Sequence, residues 1–445
     1  MDSDAGRLNR FRGCLLGLAV GDALGAPLVG MKPGHVAQMY GRTEGYVDPE
    51  VAWKGKPWRW TLRGLYTGNT QKALALTDIL ARDGRCEPRA LADVLVEMAG
   101  ARVAGGPLGC FRRPSRFLRN TVEQLGASGA DPLACGGPSA GSGAAARVAP
   151  LGLHFRDAPE CLIEAAIETS LVTHADPRAI LAAVAVALAV GIHASGTTDE
   201  TRRSSEIARW LIEQVNAAER CLLDRYGRYL SRTADEASSR FAQSLAIVPR
   251  LLEEGDDALA FDSIVREANR CGPDHVIHDP GDGFAPAAVT AALYLGLGGR
   301  SFAEALPVAV GLGRQAHDLG AIVGALVGAR DGVESIPRPW MEQLLNADQV
   351  RLRADNLERG DIDYARWRGV VDLESEATAA EERERRQLTQ RWEKQGVLAA
   401  KKPKRAKAKP APEPELGFAP PPETWLRRER GDRRRSRGKP RRRER

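Results

Sequence analysis

Paired cysteines, long apolar runs, strand alternation and repeats are all missing from this 445-residue chain, and each absence excludes something. The seven cysteines (Cys14, Cys86, Cys110, Cys135, Cys161, Cys221 and Cys271) lie singly, with no C-x-x-C pair. That spacing argues against a disulfide framework and a clustered zinc site, and makes the cytoplasm the expected location. The longest apolar run, Ile180 to Ile192, has 13 residues, short of the roughly 20 needed to span a bilayer. Arg7, Arg10 and Arg12 before the apolar stretch Cys14 to Val20 imitate a secretory signal. Asp22 interrupts that stretch too early, so it reads as a first buried helix. Period-two alternation is almost absent, and no repeat of solenoid length recurs.

What is present is helical periodicity on a large apolar budget of side chains, 43% of the chain. In Gly64 to Leu80, GLYTGNTQKALALTDIL, residues Ala73, Leu76, Ile79 and Leu80 fall on one helical face until Gly84 stops the run. Similar spacing predicts helices over Leu91–Ala101, Cys161–Thr173, Arg178–Ala194, Glu206–Leu223, Asp235–Leu252, Pro286–Leu297, Phe302–Gly311 and Leu319–Ala329. The fold class expected is all-α, an orthogonally packed multi-helix bundle. Residues 179–190 are apolar all round and belong at its centre. Gly320, Gly324 and Gly328 recur every fourth residue, leaving a groove for close approach of another backbone.

The C-terminal part differs. Residues 401–445 hold 18 Lys/Arg against 6 Asp/Glu, a net of +12, so the chain total of +6 leaves about −6 for residues 1–400. Three segments follow: a helical domain over residues 1–370, a charged helical or flexible linker over 371–400, expected to be solvated, and a disordered Lys/Arg/Pro-rich tail over 401–445. Such a tail can neutralise phosphates, which makes nucleic acid or an acidic protein surface its natural partner. Its two aromatics, Phe418 and Trp425, are too few for a stacking platform. A purely solubilising tail is the competing reading.

Four patterns in one order resemble the ADP-ribosylglycohydrolase family: RGCLLGLAVGDALGAP at Arg12–Pro27, the Tyr66–Leu76 segment, GSGAAARVAPLG at Gly141–Gly152 followed by Thr173-His174, and GRQAHDLGAIVGA at Gly313–Ala325. The resemblance covers about residues 8–333 and implies the all-α bundle of that family. It also implies hydrolysis of the bond between ADP-ribose and an acceptor side chain, with two magnesium or manganese ions held by carboxylates. Here those positions are altered. Thr67, Gly68, Asn69 and Thr70 stand where the family carries Thr-Asp-Asp-Thr. Gln315 and His317 replace the C-terminal Asp pair, Asp318 replaces the following Thr, and Val29 falls where a Glu is expected. Hard divalent cations need charged oxygen ligands, so no metal and no other cofactor is expected.

The expectation is therefore a metal-deficient pseudoenzyme or ADP-ribose-binding module. The alternatives are an active hydrolase with relocated acidic groups, or a structural or nucleic-acid-associated protein acting through the tail. Gly68, Asn69, Gln315, His317 and Asp318 are the degenerate catalytic positions; Thr67, Ser142, Gly143, Arg147 and His174 are the candidate ligand contacts. Plain roles compete at most of them: a helix N-cap for Asp318, Asn69 or Thr70, an exposed histidine for His317, a loop-binding arginine for Arg147, a buried histidine for His174 and an architectural carboxylate for Asp22. His317 with Asp318 falls short of the three protein ligands of a catalytic zinc site. Asp279 and Asp282 belong to a Gly-Pro turn. Trp53, Trp58 and Trp60 are read as hydrophobic packing, with stacking on a base as the alternative.

Overall fold

A computed structural model describes residues 4–196, 204–231, 240–272 and 276–398. The tail at 401–445 lies outside the described residues, as does the first part of the helix expected at Asp235–Leu252, of which Arg240–Leu245 and Val248–Glu254 are seen as two short helices. Among the described residues there is no strand, only three isolated bridges between loops. The helices that position the site are α1 (Asp4–Gly25), α2 (Gly68–Asp83), α3 (Pro177–Ala194), α4 (Ala285–Leu297), α5 (Ala316–Asp331) and α6 (Val370–Lys394).

Local chemistry explains where these helices begin and end. Thr67 caps α2 by accepting from the Asn69 N–H, and Gly84 ends it in the left-handed conformation at φ +67°. Asp176 caps α3 through the Arg178 N–H. Beyond that cap α3 is Ala, Val and Leu on every face, and it is buried at all but one of its positions. The helix expected at the centre of the bundle is there, and α4 is buried along its whole length beside it.

The most extensive helix–helix contact joins α1 to α5. α1 and α5 run antiparallel with their backbones touching: a Cβ on Gly13, Gly17 or Gly21 would fall 2.2, 2.2 and 1.9 Å from the carbonyl oxygens of Gly328, Gly324 and Gly320. The reverse contacts are as short, at 2.1, 2.0 and 2.0 Å for Gly320, Gly324 and Gly328. The groove inferred from the α5 glycines is filled by an equal stripe on α1. Side chains of ordinary size would hold helix axes 8–10 Å apart, and here nothing intervenes. The segment Asp4–Leu28 and α3 are long and apolar enough to cross a membrane, but both are buried within the bundle almost throughout, which their apolarity serves.

The segment expected as a solvated linker is a packed helix instead. α6 buries Leu373, Glu374, Thr378, Leu388 and Trp392. The Glu374 carboxylate is fully buried and accepts from Tyr66 Oη (2.8 Å), Gln71 Nε2 (3.0 Å) and Arg112 Nη2 (2.6 Å). Thr378 donates to the Cys110 carbonyl and accepts from Arg112 Nη1. Its many charges suggested exposure because a buried ion pair has no signature in the composition of one segment. The partner, Arg112, lies more than 260 residues away.

Two outcomes are expected. Gly324→Val places a side chain where the Gly17 carbonyl sits and costs about 3 kcal/mol or more in urea unfolding, whereas Gly34→Ala, with no atom near the added carbon, changes stability by no more than about 1 kcal/mol. His193 on α3 is buried with Nδ1 3.1 Å from the Leu326 carbonyl, and burial pushes its pKa down to about 4. Its neutral ring contributes fully above the unfolded value near 6.5, and that contribution is lost as pH falls from there toward 4, because only the unfolded state takes up the proton. Stability measured across that window falls by about 3 kcal/mol from this residue, and His193→Gln flattens the decline.

Candidate functional site

The site forms where the last turn of α1, the first turns of α2 and α5, and the loops at Ser142 and His174 meet. Asp22, fully buried on α1, organises it. Its carboxylate accepts from the N–H and hydroxyl of Thr67 at 3.0 and 2.7 Å, and from those of Thr70 at 3.0 and 2.7 Å. The turn Thr67-Gly68-Asn69-Thr70 is thereby wrapped on Asp22, which is an architectural role. Thr67 is both the cap of α2 and an Asp22 partner, so neither Asn69 nor Thr70 is the N-cap.

With the turn fixed, Asn69 points across to α5. Its Nδ2 donates to Asp318 Oδ1 at 2.6 Å, and Ser142 Oγ donates to Asp318 Oδ2 at 2.5 Å. Asp318 is the third residue of α5, whose N-cap is Gln315, so its carboxylate links three segments of the chain and does not cap its own helix. Two degenerate positions, Asn69 and Asp318, are thus bonded to each other, and the candidate ligand contact Ser142 is bonded to Asp318. At Gly68 an added Cβ would lie 3.2 Å from the Arg112 carbonyl, so any side chain there requires a local shift.

The other candidates separate into two groups. Arg147 is buried and donates from Nη2 to the Thr169 carbonyl (3.0 Å) and Thr173 Oγ1 (2.6 Å), the structural role of an arginine that ties loops together. Burial pushes its pKa down to about 10. His174 faces the site: Nδ1 pairs with Thr173 Oγ1 at 2.7 Å, and its Nε2 edge lies 3.8 Å from where a Cβ on Gly143 would be. Burial first, then Arg147 and Lys72, hold His174 well below the usual histidine range, so its ring is neutral at pH 7. His317 is not an exposed histidine; its side chain is 13% exposed, with Nε2 3.4 Å from Asp318 Oδ1 and a buried Nδ1 that has no hydrogen-bond partner. Gln315 packs its Cγ against Gly283, and Asp279 is taken by Arg314 at 2.7 Å. Of the tryptophans, Trp53 is buried and donates to the Pro27 carbonyl at 2.6 Å, as packing requires, while Trp58 is 63% exposed.

Two residues at the site had not been singled out in the sequence. Lys72 stands one turn after Asn69 on the same face of α2, in the electrostatic reach of Asp318, Asp22, Arg147 and His174. Burial, reinforced by Arg147 against the pull of the two carboxylates, lowers its pKa to about 8. A lysine near the start of an otherwise apolar helix, where the dipole disfavours cations, was the available signal. Glu374 is the other, since through Tyr66, Gln71 and Arg112 it braces the loop that leads into Thr67.

A pair of divalent ions does not fit this donor set. Asp22 already accepts four hydrogen bonds, both oxygens of Asp318 are taken, and the adjacent positions offer a carboxamide, an imidazole and a glycine. Among the described residues, no three His, Cys, Asp or Glu side chains are grouped as metal ligands.

Comparison with known proteins agrees with the architecture. The family model described as ADP-ribosylglycohydrolase matches residues 3–366. An uncharacterised protein of Archaeoglobus fulgidus is 26% identical over 352 residues, 78% of this chain and 95% of that protein. The ADP-ribosylarginine hydrolase Tri1 of Serratia proteamaculans is 23% identical over 79% of each chain. The ADP-ribosylhydrolase ARH3 of Bos taurus is 25% identical over 79% of this chain and 93% of its own length. A solved structure titled ADP-ribosylglycohydrolase-related protein complex superposes with a TM-score of 0.54 at 25% identity, over 80% of this chain and 99% of that one.

The Asp22 arrangement gives a direct test. Asp22→Ala leaves the N–H and hydroxyl donors of Thr67 and Thr70 without their buried acceptor, and the expected loss in chemical denaturation is about 3–5 kcal/mol.

Proposed function

Because the chain belongs to the ADP-ribosylglycohydrolase family, we propose that it is a member that binds ADP-ribose without metal and no longer hydrolyses its glycosidic links. One observation carries this reading: Asn69 and Asp318, two positions that the resemblance assigns to the metal centre, are hydrogen-bonded to each other, and Ser142, a candidate ligand contact, takes the second oxygen of Asp318. Two divalent ions bring four positive charges and surrender tightly held water on binding. That exchange is favourable only when several carboxylates replace the water. Here Asp318 is the lone carboxylate added at those positions, and its oxygens already serve two neighbours. The overall bundle and the loops around Ser142 and His174 remain, and they support retention of a ligand cleft.

The names of the relatives favour a second reading, an active hydrolase in which Asp318 replaces the lost acids. Two measurements separate them. ADP-ribose titrated by calorimetry in EDTA is expected to bind with a Kd below about 1 mM. Incubation with ADP-ribosylated arginine or serine substrates, with and without magnesium, is expected to release no ADP-ribose. Neither heat nor a thermal shift at millimolar ligand removes the binding reading; magnesium-dependent release replaces it with the hydrolase.

A further inference from the structure

We propose that Lys72 is the resident cation of this cleft, compensating Asp318 and Asp22 from within the chain and offering its ammonium to a phosphate oxygen of the ligand. The inference rests on the binding reading above but concerns a residue and a charge role of its own.

Position comes first. Asn69 and Lys72 are three residues apart on α2, so both side chains leave the same face, and Asn69 is already fixed there by its bond to Asp318. Lys72 is partly buried, and the groups whose charges it feels are Arg147, Asp318 and Asp22, while His174 in turn feels Lys72. One ammonium is therefore within electrostatic reach of charged groups on α1, α5 and the loop at Arg147, and of His174.

The balance of donors and acceptors comes second. Both carboxylates near Lys72 have their oxygens occupied by Thr67, Thr70, Asn69 and Ser142. Among the described residues the Lys72 ammonium has no hydrogen-bond or ion-pair partner. The His317 Nδ1 is buried and also has none. A partly buried ammonium with unused N–H donors is stabilised most by an anionic oxygen, and charge-assisted bonds of this kind are about twice as strong as neutral ones. The carboxylates offset the charge of Lys72 at a distance but leave its donors free, so the complement missing from the cleft is a set of acceptor oxygens. A diphosphate supplies them.

Charge accounting points the same way. A centre built from several carboxylates needs external dications to be neutral. Among the groups coupled to Lys72, the two carboxylates are balanced by its ammonium and the Arg147 guanidinium.

The test uses the full chain in EDTA. ADP-ribose and inorganic pyrophosphate are each titrated into wild type, Lys72→Met and Lys72→Arg. The same proteins are carbamylated with cyanate, with and without ligand, and modification of Lys72 and of Lys54 is followed by peptide mass spectrometry. The expected result is at least a tenfold weaker Kd for Lys72→Met, partial recovery in Lys72→Arg, and at least fivefold protection of Lys72 by ligand with none at Lys54. Binding of ADP-ribose by Lys72→Met within twofold of wild type, or an unprotected Lys72 in saturated wild type, overturns the assignment and leaves the binding reading standing. Pyrophosphate binding that depends on Lys72, without ADP-ribose binding, upholds the assignment and removes that reading. Binding of neither ligand by wild type overturns both. The protection measurement needs no variant, so a Lys72→Met protein that fails to fold still leaves a decision.

Discussion

The contact between the glycine stripes of α1 and α5 is the constraint on which the site depends. Backbone meets backbone along four turns, from Gly13 against Gly328 to Gly25 against the Ala316 carbonyl. Such a contact has little tolerance for sliding or rotation, because each carbonyl occupies the space of a missing Cβ. It brings the C-terminal turn of α1, with Asp22, beside the N-terminal turn of α5, with Asp318. The Thr67–Thr70 turn is then held by the first carboxylate and Asn69 reaches the second. A carboxylate 249 residues distant from Asn69 in the chain is placed to within a hydrogen-bond length by a packing motif that contains no polar side chain.

Upon that frame the polar groups are coupled. Asp318 accepts from both Asn69 and Ser142, so the three side chains form one hydrogen-bonded set. An isolated buried carboxylate is costly, whereas one that accepts two short hydrogen bonds from neutral donors and lies near an ammonium is tolerated. Burial holds His174 neutral and lowers the pKa of Lys72, which the two carboxylates pull back up.

Much of this was legible before any coordinates. Helical spacing located α2, α3 and α4, and the every-fourth-residue glycines of α5 announced a backbone contact because only a missing Cβ makes that spacing useful. The four patterns that resemble the family marked Thr67–Thr70, Ser142, His174 and Gln315–Asp318, which converge as one site apart from Gln315. What could not be read were pairings between distant positions. Asp318 looked like a helix cap because a carboxylate near a helix start has that local role by default; its use by Asn69 and Ser142 is a tertiary fact. Arg147 could equally have reached a ligand until Thr169 and Thr173 were seen to hold it. The helix Asp257–Cys271 went unmarked although Ala260, Ile264, Ala268 and Cys271 recur at helical spacing, and α6 carried so many charges that its buried Glu374 could not be told from its exposed neighbours.

The buried pair of Glu374 and Arg112 sets the true boundary of the folded unit. The match to the family ends at residue 366, yet Arg112, with the carbonyl of Tyr66 on its Nε, has its counter-charge in α6 beyond that point. A chain ended at residue 366 would keep every family pattern and still strand a guanidinium in the interior. The segment beyond the matched region therefore works as a keystone, and the loop entering α2 bears directly on it.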